Sequence, residues 1–333
     1  MSTLNATDLT IGNVAKRLDP DGKVADIAEV IAQTNELFED IPLVEANGHT
    51  YHRSTIRNGL PSGTFRAANE GVANEKSSTI QVDDVIAELA TYSEIDQTVA
   101  DTGDNTQAVL ASENVAFQQG LAETMASKVF YGNNDTNHKE FHGLDPRFNS
   151  LSGSDNSDNV IDGNNGGSGS DSASIWLVGW SPNTVFGTYP QGSMAGLEMD
   201  FKGLDTVKDA SGNQFEAYRT FYRWRMGLTV KDWRYVVRIC NIDTSELTAD
   251  KSSNSADLTD LIAQALELMP SMAGISPRFY MNRKISSFLR RQRNNTTNVQ
   301  FGTDEVFGRH VMTIDGVPVK RIDALTNTEA DIS

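Results

Sequence analysis

The sequence predicts an α+β fold that includes parts unable to fold alone. Three observations carry this reading. Residues 104–131 keep helical spacing without a break, and residues 175–242 are dominated by strand patterns. Between Ile56 and Ile80 the large apolar residues are only Leu60, Phe65 and Val72, too few to build a core.

The elements follow in order. Residues 1–23 are polar and turn-rich, with Asp19-Pro20-Asp21-Gly22 as a turn, and read as an arm. Residues 24–41 space Val24, Ile27, Ile31, Leu37, Phe38 and Ile41 as a short amphipathic helix that Pro42 stops. Residues 50–57 read as a strand, 58–63 as a break, 64–71 as a second extended piece, and 79–92 as a returning strand. This is a long hairpin-like excursion that needs support from another chain or domain.

Asp104, Asn105 and Thr106 offer N-caps for the long helix. Gly132 follows it, where a left-handed C-cap is favoured. At ~1.5 Å per residue the helix spans about 40 Å, long enough to serve as a backbone for what packs across it. Residues 149–174 are rich in Asn, Ser, Gly and Asp and read as a surface insertion. Strands follow at 175–180, 215–230 and 235–242. The last third reads as an α/β unit, with a helix over 257–269, a strand over 278–281, a basic helix over 284–294 capped by Asn282, and a closing turn and strand over 313–322.

Charge is uneven. The chain carries 28 Lys/Arg and 45 Asp/Glu, a net of −17. Residues 1–212 hold 12 and 31 of these (12 − 31 = −19), and residues 213–333 hold 16 and 14 (16 − 14 = +2). Such acidity disfavours wrapping nucleic acid, which needs cationic surface. No run approaches the ~18 apolar residues of a membrane span, and Met1-Ser2-Thr3-Leu4-Asn5 does not open like a signal peptide. The expectation is a protein that is neither secreted nor membrane-embedded, matured in a cytosol-like compartment. A single cysteine, Cys240, leaves no internal disulfide framework.

Catalytic and cofactor patterns are missing. There is no phosphate-cradling glycine motif and no GxSxG. His138 and His142 share helical spacing, but they follow a helix stop and lack the HExxH order. The single Gly166-Gly167-Ser168-Gly169-Ser170-Asp171 run lacks the stacked copies of a calcium-binding β-roll. Cys240 sits within an apolar strand and reads as an inert buried thiol. Asp83 and Asp84 alternate across a strand and point to opposite faces. No enzyme activity and no cofactor is expected.

Two basic clusters stand out. Arg219, Arg223, Arg225, Lys231, Arg234 and Arg238 have only Asp232 opposing them locally, and residues 275–303 hold no acid around Arg278, Arg283, Lys284, Arg290, Arg291 and Arg293. With a net of −17, docking onto the acidic part of a neighbouring copy is favoured over nucleic acid.

The order of these pieces resembles the major capsid protein of tailed bacteriophages, with the Hong Kong 97-type fold and closest to the epsilon15-like, short-tailed branch. The resemblance rests on residues 15–23 running to Asn35-Glu36, on residues 52–61, on the Phe130-Tyr131-Gly132 end of the helix, on residues 142–149, and on residues 224–230 with 234–242. It implies an N-terminal arm and short helix over 1–47 and an extended loop over 48–91. A peripheral domain over 92–250 follows, with its spine helix near 105–131, and a mainly axial domain over 251–333. It further implies self-assembly into hexamers and pentamers of an icosahedral shell around double-stranded DNA. Further partners are scaffolding, decoration and portal proteins; DNA is touched only weakly from inside, and no membrane is involved. The location implied is the virion capsid, assembled in the bacterial host cytoplasm. Expected subunit-contact residues are Arg57, Arg66, Lys76, Arg219, Arg223, Arg290 and Arg291. Some relatives join subunits by Lys–Asn isopeptide bonds; Lys76 is the only lysine between His49 and Val82, and no matching Asn or Glu can be placed. The alternatives are another virion component, of tail or decoration type, and an acidic, strand-rich binding module.

Overall fold

The computed structural model describes residues 35–102, 105–163, 171–209, 211–249, 255–294, 301–306 and 309–332. The arm over 1–23, most of the helix expected over 24–41, and the glycine run at 166–170 lie outside them. The described end of that helix, residues 35–41, forms turns instead, with Leu37 and Ile41 buried.

Strand β1 (Leu43–Glu45) precedes a ribbon of β2 (Tyr51–Gly59) and β3 (Ser78–Val85). The ribbon pairs only with itself, from Tyr51 opposite Val85 to Gly59 opposite Ser78. Residues 64–71, expected to be extended, form no strand; a turn closes at Asn69, with φ 70°, and Glu70 N–H donates to Ala67 O at 3.2 Å. The single strand expected over 79–92 breaks at Ile86, whose N–H reaches Thr50 O at 2.9 Å; β4 (Ala87–Asp96) begins there.

After the short α1 (Gln97–Ala100) comes the long helix α2 (Thr106–Tyr131). The Asn105 side chain caps it by accepting the Ala108 N–H at 3.3 Å. Its end departs from expectation. Gly132 has φ −57°, so no left-handed cap forms. The chain instead folds back over the helix end, where Gly143 N–H donates to Gly132 O at 2.8 Å and Leu144 N–H to Val129 O at 3.0 Å. A Cβ on Gly143 would lie 2.6 Å from Phe130 O. Glycine is required there for close backbone approach. Gly143→Ala is therefore expected to cost about 2 kcal/mol and to lower the midpoint of thermal unfolding. Gly120→Ala, in open space on the same helix, should instead raise it slightly. Equal midpoints for the two variants would contradict this account.

The polar segment 149–174 is not wholly a surface insertion. Residues 155–159 form a 3-10 turn, β5 (Val160–Asp162) pairs parallel with a later strand, and Asn159 is buried. Then come β6 (Ser172–Trp180), β7 (Val185–Tyr189), β8 (Leu197–Lys208), the 17-residue β9 (Gln214–Val230) and β10 (Val236–Asp243). The last part holds α3 (Leu258–Leu268), β11 (Ser276–Met281), α4 (Arg283–Asn294), β12 (Phe301–Val306), β13 (Arg309–Ile314) and β14 (Val317–Arg321). Asn282 caps α4 as expected, accepting the Ile285 N–H at 2.9 Å. Asp315 and Gly316, both at positive φ, turn β13 into β14.

Strand β6 is the centre. It lies antiparallel between β10 and β11, and β14 extends the sheet parallel to β11. Every residue of β6 is buried, because both sheet faces are covered. Trp176, Val178 and Trp180 face a core with Phe130, Val129 and Met125 of α2. Ile175 and Leu177 face a second core with Leu258 and Ile262 of α3 and Ile285 of α4. Long β9 runs between β4 and β8 and leads back to β7. None of the described helices is long and apolar enough to cross a membrane.

Candidate subunit interface

The ribbon and its tip present surface that the chain's own body does not cover. Leu60, Phe65 and Val72 are exposed, Phe65 completely. Arg57, Arg66 and Lys76 are exposed beside them, with Arg66 donating to Glu70 O at 3.1 Å. Two ion pairs organise the ribbon. Arg53 holds Asp83 at 2.6 Å on the solvent face, and its hydrogen bond keeps that carboxyl below its ordinary range. Asp84 points the other way, as alternation requires, and meets Arg147 of the body at 2.7 Å.

The first basic cluster is built differently from its sequence-local appearance. Arg219 lies 2.9 Å from Glu94 on β4 and 3.3 Å from Asp205 on β8, with its guanidinium over the Tyr92 ring. Arg223 and Arg225 share Glu198, at 2.5 and 2.8 Å, and both hydrogen bonds depress that carboxyl. Their acids lie on neighbouring strands, distant in sequence. Arg219 and Arg223 thus have partners within the chain.

Arg238 is not a surface cation at all. It is 1% exposed and ties three segments together. It lies 2.7 Å from Asp145 and 2.9 Å from Glu329, donates to Phe148 O at 2.9 Å and Ser174 Oγ at 3.1 Å, and covers the Trp176 ring. Tyr131, at the end of α2, donates to Glu329 at 2.5 Å. A second polar clasp holds Asp40, which accepts from Tyr280 at 2.9 Å and Arg278 at 3.1 Å and lies 3.1 Å from Lys320. Burial and the Asp40 charge push the Tyr280 hydroxyl well above its ordinary range.

Arg290 and Arg291 are exposed on α4, Arg291 stacking over Phe288. The structure does not bring them near the ribbon residues' side of the chain in any described contact. His138 is exposed in a turn, and His142 lies 3.6 Å from Asp135. Cys240 is buried, bonded through Sγ to Ile161 O at 3.5 Å, and burial pushes its thiol up to about 12. Among the described residues, no three His, Cys, Asp or Glu side chains are placed to hold a metal ion.

Sequence reading missed β8. Its Met199, Phe201 and Leu204 are half-exposed, as is Val115 on α2. The alternation of Leu197, Met199 and Phe201 was the available signal. Together with the ribbon tip, they make uncovered apolar area of the kind that marks interaction surface.

A two-faced sheet crossed by a long helix, with a self-paired ribbon standing clear of the cores, defines a shell-building structural subunit. Residues 19–333 match the family model described as Major capsid protein GP7, and the chain belongs to that family. Among solved structures it is similar to a chain of bacteriophage epsilon15, at 35% identity and a TM-score of 0.76, covering 100% of this chain and 99% of that one. More distant is the bacteriophage JBD30 capsid, at 9% identity, a TM-score of 0.48, and 89% and 93% coverage. No curated protein matches. The fold is the Hong Kong 97 type, and the chain is a major capsid protein of an icosahedral phage shell. The tail, decoration and binding-module readings give way to it.

Proposed function

We propose that the chain forms hexamers and pentamers in which the ribbon and its tip, residues 51–85, lie over a neighbouring subunit. The observation that carries this is the fully exposed Phe65 at the end of a ribbon paired only with itself. Exposed Arg57, Arg66 and Lys76 supply cationic contacts to acidic neighbours, and Arg290 and Arg291 do so from α4. Arg219 and Arg223 contribute less, being paired already. Assembly takes place in the host cytoplasm, with scaffolding, decoration and portal proteins as partners. Double-stranded DNA fills the shell, and the net charge of −17 keeps contact with it weak. The role is structural, with no reaction catalysed.

The test reverses charge at the tip. The double variant Arg57→Glu, Arg66→Glu should lower the yield of closed particles about tenfold at low ionic strength. Added salt should lower the wild-type yield toward it. Sedimentation and negative-stain microscopy read both. Wild-type yields from the variant at every salt concentration would overturn the docking reading.

A further inference from the structure

The root of the ribbon gathers buried polar atoms that the shell reading does not use. His52 and Asp84 are directly opposite each other on β2 and β3, so their side chains share one face. The His52 ring meets Phe186 of β7 edge-on, with centroids 5.5 Å apart. On β7 and β9, Phe186 is opposite Thr229 and Thr188 is opposite Gly227, which puts these four on one face. The ribbon root lies across that face: a Cβ on Gly227 would come within 2.8 Å of Val85 O. Arg147 fastens the root by donating to Asp84 Oδ1 at 2.7 Å and to Leu228 O at 3.1 Å. Five buried atoms here have no hydrogen-bond partner: His52 Nδ1, Ser54 Oγ, Asp84 Oδ2, Thr188 Oγ1 and Thr229 Oγ1.

We propose that this root is a proton-operated hinge, in which a proton taken up by His52 drives the ribbon off the β7–β9 face and its loss lets the ribbon settle back.

The charges decide the direction. Among the described residues, Asp84 is the carboxylate that faces His52, and Arg147 already neutralises it. Lys231, just after β9, adds positive charge nearby. Phe186 offers an apolar ring. Arg53 and Asp83 on the opposite face of the ribbon neutralise each other. A protonated His52 would be a third cation around one buried carboxylate, half-wrapped in apolar surface. Burial is the largest influence on His52 and lowers its proton affinity; Lys231 lowers it further, and together they outweigh Asp84. The docked root therefore binds a proton less readily than the lifted root. Docking is complete above the ordinary histidine range, near pH ~6.5, and weakens as the pH falls through it. The orphaned threonine hydroxyls ease the transition, since lifting exposes them to water and removes a cost of docking.

Amide hydrogen exchange on assembled particles tests this at pH 7.5 and 5.5, with rates scaled for the intrinsic pH dependence. Residues 51–56 and 80–86 should lose protection at the lower pH, by up to about tenfold, with β6 and β10 unchanged. His52→Gln should remove the difference. Lys231→Gln, which takes away a neighbouring cation and so brings the docked His52 closer to the lifted one in proton affinity, should make the loss smaller. Equal protection of the wild-type root at both pH values would overturn the proposal. So would a loss that survives in His52→Gln, or one of undiminished size in Lys231→Gln.

Discussion

Removal of residues 60–76, with Asn-Gly closing the ribbon, is expected to leave folded subunits and to abolish closed particles. Neither hydrophobic core contains a residue from this stretch. Its hydrogen bonds, such as those of Ser62 to Glu75 and of Ala67 N–H to Glu70, stay within it. Gly59 and Ser78 are already cross-strand partners, so a short turn can join them without moving the strands. The cost to the isolated subunit is thus expected within ~0.5 kcal/mol, as for surface changes generally. The cost to assembly is the whole of whatever Leu60, Phe65 and Val72 bury on a neighbour, about 1.5–3 kcal/mol for each large side chain. Repeated at every contact of a shell, that is decisive. Circular dichroism melts would show an unchanged midpoint, and electron microscopy would show no closed particles. Normal particles from this variant would remove the ribbon tip from the assembly account.

The second large effect is on stability. Arg238→Ala should destabilise the subunit by about 3–5 kcal/mol, because the buried Glu329 is left without its cation. The midpoint of thermal unfolding should fall by roughly 10 °C. Arg238→Met combined with Glu329→Leu removes both charges and should recover much of the loss. A single variant that melts with the wild type would show that the cluster around Arg238 contributes little.

Much of this architecture was readable in advance, and the exceptions share one cause. The helices α2, α3 and α4 announce themselves through spacing, and α2 and α4 also through their caps, Asn105 and Asn282, each of which accepts a first-turn N–H; the structure adds Asp257 as the cap of α3. The ribbon was legible through what it lacks. Strand β5 was hidden because its flanks are polar; it exists because β10 supplies the pairing and Asn159 donates to Val236 O at 2.9 Å. Arg238 looked like a surface cation because its acceptors come from residues 145, 148, 174 and 329. Arg219 and Arg223 looked unopposed for the same reason. Local pattern reports backbone periodicity well. It does not report which distant carboxylate a long side chain will find.

The Asp40 clasp has a further meaning, one that concerns time rather than space. Asp40 is bound by Arg278, Tyr280 and Lys320, and Asn35 accepts the Ala324 N–H at 3.1 Å. These contacts join chain positions more than 230 residues apart. At synthesis rates of ~5–20 residues per second, Asp40 waits on the order of 10–60 s for its partners to appear. Strand β6 likewise emerges well before β10 and β11, both of which it needs as neighbours. Its nine buried residues must stay unpaired through that interval. The Asp40 clasp is therefore a late closure, and the most apolar strand is the one that has to be kept from other chains until β10 and β11 emerge.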